Sequence, residues 1–234
     1  MRSKEPYNYR HFRVEHYFDG TRTPGVRAGD SVSTHFVETL DGDTVKLDDC
    51  WSDSPAVIEF GSVSCPLFQA NIDRVNRLAA KYGESVNFCL VYVREAHPGA
   101  RVGPHNSITD KRELANDVAP HLENRTVLVD DVQGSVHRAF DAMPNSVHLV
   151  GTDGIVAYRA DWLHAGALDD AIDALLDAGG DGAATEHEDV TNNFFLPSPA
   201  VLRGARRAFG RAGDGSAADF VRALPKLAWH RLRH

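Results

Sequence analysis

Residues 56–93 decide the fold, and they read AVIEFGSVSCPLFQANIDRVNRLAAKYGESVNFCLVYV. Ala56 to Phe60 is a short apolar run that ends at Gly61, and Val86 to Val93 is apolar at odd and even positions alike, as in a strand covered on both faces. Gly83 is a natural helix stop between the two runs. Apolar residues at helical spacing precede it: Leu67, Phe68, Ile72, Val75, Leu78, Ala79 and Tyr82. The stretch therefore predicts a β-α-β unit with two central parallel strands.

The flanking segments extend this unit in both directions. Residues 33–47 alternate apolar and polar side chains around Asp41-Gly42, a pattern that predicts a β-hairpin. Elements predicted after the unit are a helix at 109–118, a strand at 126–129, a short helix at 136–140, antiparallel strands at 147–150 and 155–158, and a helix at about 168–176. This order predicts an α/β protein with a thioredoxin-like fold, in which helices flank a central mixed sheet. The N-terminal hairpin is common in the redoxin and peroxiredoxin branch of that fold.

The chain divides into three predicted regions. Residues 1–30 are predicted as an N-terminal arm, 31–180 as the thioredoxin-like domain, and 181–234 as a linker and basic amphipathic helical extension that follows a glycine-rich run. Residues 199–234 carry eight arginines and lysines against two aspartates and net +6, whereas residues 1–198 net −14. The tail is interpreted as a docking segment or solvated tail, with membrane-surface or nucleic-acid contact as the alternative.

Composition narrows the class of protein. The 234 residues are 42% hydrophobic and 25% charged, without an apolar run of transmembrane length, which predicts a soluble globular protein and excludes collagenous, low-complexity and integral-membrane classes. The N-terminus lacks the apolar core of a signal peptide, which predicts a cytoplasmic protein. A net charge of −8 argues against a nucleic-acid binder. No H-E-x-x-H, H-x-H or C-x-x-C motif occurs, so we expect no metal and no cofactor.

Cys65 lies at the predicted junction between the first central strand and its helix. Pro66 suits the first helical position, because its missing N–H would be unsatisfied there anyway, and this makes Cys65 the N-cap. The helix N-terminus stabilises a thiolate, so we expect a pKa below the usual value of about 8.5. Cys65 is thus the predicted nucleophile. Cys89, inside the apolar strand, is interpreted as inert core, and Cys50 stays undecided.

Glu95 and His97 follow the second central strand. That segment leaves the sheet at its C-terminal edge, where open α/β sheets place their sites, so both side chains can converge with Cys65. We predict that His97 delivers a proton to the leaving group, that Glu95 orients it, and that His105 is a second relay. The alternatives are loop histidines without a catalytic role and a Glu95 that pairs with Arg94.

Three motifs, FGSVSCPLF at 60–68, LVYVREAHPG at 90–99 and GPHNSITDKRELA at 103–115, resemble the iodothyronine deiodinases over about residues 29–176. On this resemblance Cys65 occupies the family's selenocysteine position. The resemblance further implies substrate contact or proton delivery by a set of polar residues: Ser62, Ser64, Tyr92, Glu95, His97 and His105.

The resemblance implies a reductive deiodination of an iodinated aromatic, or a related thiol redox reaction. Val63 stands where the family has a second cysteine, so we expect an external reductant such as thioredoxin or a low-molecular-weight thiol, or else a movement of Cys50 or Cys89. Monomer and homodimer both stay open. Pro144 is predicted to form a cis peptide bond with Met143 and to face the substrate beside Cys65. The alternatives are a peroxiredoxin-like thiol peroxidase, in which Arg125 or Arg159 would serve the peroxide, and a non-catalytic thioredoxin-like scaffold.

Overall fold

The computed structural model describes residues 7–13, 15, 25–140, 143, 145–190 and 198–231, the last five as backbone. The described strands are β1 (Phe36–Thr39), β2 (Thr44–Lys46), β3 (Ala56–Gly61), β4 (Asn87–Tyr92), β5 (Thr126–Val129), β6 (Val147–Val150), β7 (Val156–Ala160) and β8 (Glu188–Val190). The α-helices are α1 (Pro66–Tyr82), α2 (Ile108–Val118), α3 (Ser135–Ala139), α4 (Ala165–Asp177), α5 (Pro199–Ala212) and α6 (Ser216–Arg231), and a 3₁₀ turn spans Leu47–Trp51.

The described strands form one mixed sheet in the order β2-β1-β5-β4-β3-β6-β7-β8. The central pair β3 and β4 is parallel, with Ala56 opposite Asn87 and Gly61 opposite Tyr92, and β4 and β5 are parallel as well. The hairpin β1–β2 and the pair β6–β7 are antiparallel. The predicted β-α-β unit, hairpin and late antiparallel pair are confirmed, with boundaries that differ by one to three residues.

Both faces of the central strands are covered, which explains their continuous apolar sequences. Val57 and Phe88 pack under α1 and α4 on one face. Ile58 and Phe60 point to the other face, where they pack with Trp51 of the 3₁₀ turn and with residues of α3. Each large apolar side chain buried in this way stabilises the fold by about 1.5–3 kcal/mol. The sheet thus separates two apolar layers that share the same strands.

The C-terminal segment belongs to the packed body. Strand β8 adds to the edge of the sheet, parallel to β7, and α5 crosses the first turn of α1 so closely that a Cβ on Gly204 would lie 2.3 Å from the Pro66 carbonyl oxygen. The predicted C-terminal extension therefore packs against the domain, whereas residues 191–197 of the predicted linker lie outside the described residues. Glu-Asp-Val is too short and polar to be read as a strand, and the glycine-mediated helix contact has no hydrophobic signature. None of the helices within the described ranges is long and apolar enough to cross a membrane.

Candidate active site

Cys65 lies where the sequence places it. It follows β3, caps the N-terminus of α1 with Pro66 at the first helical position, and its Sγ accepts a hydrogen bond from the backbone N–H of Phe68 at 3.5 Å. The fixed φ of proline and the extended backbone of Cys65 make this a regular helix start. The predicted strand–cysteine–helix junction is confirmed.

The electrostatic setting of Cys65 differs from the prediction. Only 2% of the residue is exposed, and burial raises the pKa of the thiol to about 12 against the opposing effect of the helix N–H groups. The carboxylates of Glu59 and Glu95 raise the pKa further. The expected lowering of the Cys65 pKa is therefore wrong for this conformation, because loss of water outweighs the helix N-terminus.

Two serines connect the cysteine loop to the loop after β4. Ala96 donates its backbone N–H to Oγ of Ser62 at 3.2 Å, and His97 donates its backbone N–H to Oγ of Ser64 at 3.1 Å. Both serines are fully buried. The hydroxyl groups thus fix the 94–97 loop against the loop that carries Cys65, a positioning effect that the spacing of the motif alone does not reveal.

Glu95 is the centre of the polar network beside Cys65. The Ser64 N–H donates to its Oε2 at 3.0 Å, the Tyr92 hydroxyl donates to its Oε1 at 2.5 Å, and Nε2 of His105 lies 3.4 Å from Oε1. Burial by itself raises the pKa of Glu95, but His105, Ser64 and Tyr92 together lower it below its ordinary value. The carboxylate is therefore ionised near neutral pH although it is buried.

His97 has a different environment from the predicted one. Its ring centroid lies 4.2 Å from that of Phe12, 5.3 Å from Phe220 and 5.6 Å from Phe209. Burial lowers its pKa to about 3, so its imidazole is neutral at physiological pH. The predicted pair of Glu95 with His97 is corrected to a pair of Glu95 with His105, because the Glu95 carboxylate faces His105 while His97 lies among aromatic rings.

Arg94 turns away from the Glu95 network. Its guanidinium lies 5.0 Å from the ring centroids of both Tyr7 and Tyr9, and its Nη1 donates to the Tyr7 carbonyl at 3.2 Å. The Tyr9 hydroxyl donates to the carbonyl of Ala96 at 2.8 Å. These contacts hold the N-terminal segment over the 94–97 loop, and they replace the alternative in which Arg94 pairs with Glu95.

A second polar network, which the sequence analysis missed, lies near Cys65 and centres on Glu59. Arg125 and Asn145 donate to the two oxygens of its carboxylate, and Asn71 donates to Oδ1 of Asn145 at 3.3 Å. Burial raises the pKa of Glu59, and Arg125 opposes that effect. The one available signal was the single acidic residue in the apolar run AVIEF.

Of the predicted proline site, the structure describes the neighbours only. Pro144 lies outside the described residues, and its cis bond and substrate contact stay predictions. Asn145 next to it has a left-handed backbone with φ 69° and donates its N–H to the carbonyl of Phe60 at 2.7 Å. This loop is thereby attached to the end of β3.

A cleft of about 670 Å³ opens beside the Glu95–His105 pair. His105 lines it together with Arg101, Asp110, Glu113 and Asp214 among others, whereas Cys65 does not. The wall of the cleft therefore carries both positive and negative side chains, and the cleft borders His105 but not Cys65.

The family model described as iodothyronine deiodinase matches residues 21–162. The thyroxine 5-deiodinase of Sparus aurata is 25% identical over 122 residues, which are 48% of this chain and 46% of that protein. The thyroxine 5-deiodinase of Aquarana catesbeiana is 28% identical over 134 residues, 53% and 49% of the two chains. The chain thus spans about half the length of the curated relatives it matches.

Two solved structures share the fold. An uncharacterized conserved protein from Geobacillus kaustophilus superposes with a TM-score of 0.55 at 24% identity, covering 75% of this chain and 98% of that one. A structure described as a thiol:disulfide interchange protein DsbE of Chlorobium tepidum superposes with a TM-score of 0.50 at 20% identity, covering 65% and 99%. The thioredoxin-like fold predicted from the order of elements is confirmed.

Proposed function

The chain belongs to the iodothyronine deiodinase family, and from this premise we propose that it is a thiol-dependent oxidoreductase with Cys65 as the nucleophile. Its substrate is proposed to be an iodinated aromatic compound, from which it removes iodine reductively. The observation that carries the proposal is the Tyr92–Glu95–His105 network beside a cysteine at a helix N-terminus. In this network Tyr92 donates a hydrogen bond to Glu95, and Nε2 of His105 lies 3.4 Å from the same carboxylate oxygen.

The proposed reaction has two stages. The Cys65 thiolate attacks the iodine atom, so that an S–I bond forms while the C–I bond breaks and its electron pair stays on carbon, which takes a proton. An external thiol then attacks the Cys65 sulfur and releases iodide, and a second thiol frees Cys65 as the disulfide of the reductant forms. One aryl iodide and two thiols give one arene, one disulfide, iodide and a proton.

His105 supplies the proton in this proposal. Glu95 is ionised near neutral pH, and its Oε1 lies 3.4 Å from Nε2 of His105, which places the carboxylate where it can orient the ring of a general acid. His97 cannot serve in the same way near neutral pH, because burial lowers its pKa to about 3. The role of proton donor, predicted from the sequence for His97, is therefore assigned to His105. The Tyr92 hydroxyl positions Glu95 by its hydrogen bond to Oε1.

Access to the thiol requires a local opening. Cys65 is buried, and α5 crosses α1 at Pro66, directly beside it. When α5 moves aside, water returns and the largest cause of the raised Cys65 pKa is removed. The helix N-terminus then favours the thiolate, which is the reactive form. The expected low pKa is thus a property of the proposed open state.

The peroxidase alternative finds less support in the charges near the thiol. Cleavage of a peroxide needs positive charge beside the leaving oxygen, and the charged groups that act on Cys65 are the carboxylates of Glu59 and Glu95. Arg125 is engaged by Glu59, and Arg159 by Asp161 and Asp189. Both arginines are thus engaged by carboxylates.

A side-by-side rate measurement tests the proposal. The wild-type chain is given an iodinated phenol or hydrogen peroxide with dithiothreitol as reductant, and iodide release and peroxide loss are followed. We expect iodide release that disappears in Cys65→Ser and persists in Cys50→Ser. Fast peroxide turnover without iodide would favour the peroxidase, and neither activity would favour a non-catalytic scaffold.

A further inference from the structure

A pair of thiols lies on the opposite face of the sheet from Cys65. Cys50 belongs to the 3₁₀ turn Leu47–Trp51 and is half-buried, whereas Cys89 in β4 is buried. Their Sγ atoms are 2.8 Å apart and both thiols are reduced. A disulfide bond is about 2.05 Å long, so the two sulfur atoms would have to approach each other by less than about 1 Å to form one.

The turn holds Cys50 in register with Cys89. Leu47 and Trp51 on either side of it are buried in the core, and the side chain of Asn87 donates to the carbonyl of Cys50 at 2.9 Å. Asn87 lies two positions before Cys89 on the same strand, so this hydrogen bond and the burial of Leu47 and Trp51 both hold Cys50 beside Cys89. A bond between the two sulfurs therefore needs little backbone movement.

We propose that Cys50 and Cys89 form an intramolecular disulfide when the protein meets a peroxide or a low-molecular-weight disulfide, and that they constitute a redox-modification site separate from the Cys65 site. With hydrogen peroxide, the Cys50 thiolate attacks one oxygen, the O–O bond breaks, and a sulfenic acid and water result. The Cys89 sulfur then attacks the Cys50 sulfur, and the S–O bond breaks to release a second water. Two thiols and one peroxide give one disulfide and two waters. With a low-molecular-weight disulfide, the Cys50 sulfur attacks one of its sulfurs and releases the first small thiol, and the Cys89 sulfur then attacks Cys50 and releases the second.

The order of the two steps follows from the environments of the thiols. The hydrogen bond with Cys50 is the larger cause, and burial the second, of the raised pKa of Cys89. Cys89 is therefore poorly ionised, and because it is buried it is also poorly accessible to an oxidant. Cys50 is the more exposed of the two. Cys50 is therefore oxidised first and Cys89 resolves the product, a division of roles common to thiol pairs.

The pair cannot act as the resolving thiols of Cys65. Cys89 packs with Ile58 and Phe60 on the face covered by the 3₁₀ turn, whereas Cys65 packs with Phe68 and Leu90 on the face covered by α1. The sheet lies between them. The disulfide would instead attach the turn to the central strand β4. It would also lower the conformational entropy of the unfolded chain between positions 50 and 89, which stabilises the folded state.

The experiment uses Cys65→Ser, which keeps the pair and removes the proposed nucleophile. After treatment with hydrogen peroxide or oxidised glutathione, free thiols are alkylated under denaturing conditions and peptides are analysed by mass. We expect a Cys50–Cys89 cross-linked peptide that dithiothreitol removes, and a higher urea midpoint for the oxidised form. Cys50→Ser, checked for folding by circular dichroism, should give neither result.

Quantitative alkylation of both cysteines after oxidation, or a cross-link between two chains in place of the internal one, would overturn the proposal. Because Cys65→Ser is inactive under the proposed function, this test is independent of it. If the wild-type chain releases no iodide, the cross-link between Cys50 and Cys89 is still expected. If the cross-link does not form, iodide release by the wild-type chain is still tested by its own assay.

Discussion

Replacing His105 by glutamine tests the assignment of the proton donor. Glutamine retains a polar group of similar reach opposite Glu95 but cannot deliver a proton at neutral pH. If His105 is the general acid, kcat for iodide release should fall by roughly 10²–10⁴, the usual contribution of a positioned acid, which corresponds to about 2.7–5.4 kcal/mol in the barrier. The limb of the kcat–pH profile that depends on a proton donor should vanish.

His97→Phe is the matched control. The imidazole already lies among the rings of Phe12, Phe209 and Phe220 and is neutral, because burial lowers its pKa to about 3. A phenyl ring fits the same apolar surroundings. We expect this variant to keep the pH limb, with kcat within about tenfold of wild type.

The assay follows kcat for an iodinated phenol with dithiothreitol between pH 5 and 9, roughly the range over which a histidine titrates, after circular dichroism has shown that each variant is folded. A complete pH limb in His105→Gln, or its loss in His97→Phe, would refute the reassignment and return the role to His97.

The remaining predictions concern stability and access. The lowered pKa of Glu95 means that its carboxylate stabilises the fold above its ordinary value of 4.5 and that this contribution is lost as pH falls through the folded pKa, so Glu95→Gln should flatten the acid side of a plot of urea midpoint against pH. Gly204→Ala should cost about 1–3 kcal/mol of unfolding free energy in urea, because its Cβ would meet a backbone oxygen of α1, whereas Gly210→Ala, with open space, should stabilise by about 0.5–1 kcal/mol. Native Cys65 should react slowly with iodoacetamide at pH 7 and faster in Phe220→Ala, as read by peptide mass; equal rates in both proteins would contradict the opening step.

The β-α-β unit and the position of Cys65 were predictable because their causes are local. Apolar period and a proline after the cysteine determine a strand, a helix and its N-cap within residues 56–93. The direction of the Cys65 pKa was not predictable in this way. It depends on burial, and the surroundings of Cys65 and Pro66 include segments as distant in the chain as Tyr9 and Gly204.

The partner of Glu95 was missed for a related reason. His97 is only two residues away in the sequence, but the hydrogen bonds from the Ala96 and His97 N–H groups to the two serines fix the loop so that the carboxylate faces His105. The pairing of Glu59 with Arg125 joins residues 66 positions apart, and no local pattern couples them. Strand β8 is three residues long and gains its structure only from the edge of β7.

The rings around His97 come from both ends of the described chain. Phe12 belongs to the N-terminal segment, while Phe209 and Phe220 belong to α5 and α6. Contacts of such large sequence separation are slow to form, so the site is expected to close only after the sheet is assembled. The same segments can detach while the sheet persists, as a subglobal opening with its own free energy. Native-state hydrogen exchange in α5 and α6 and the labelling rate of Cys65 should therefore report one and the same equilibrium.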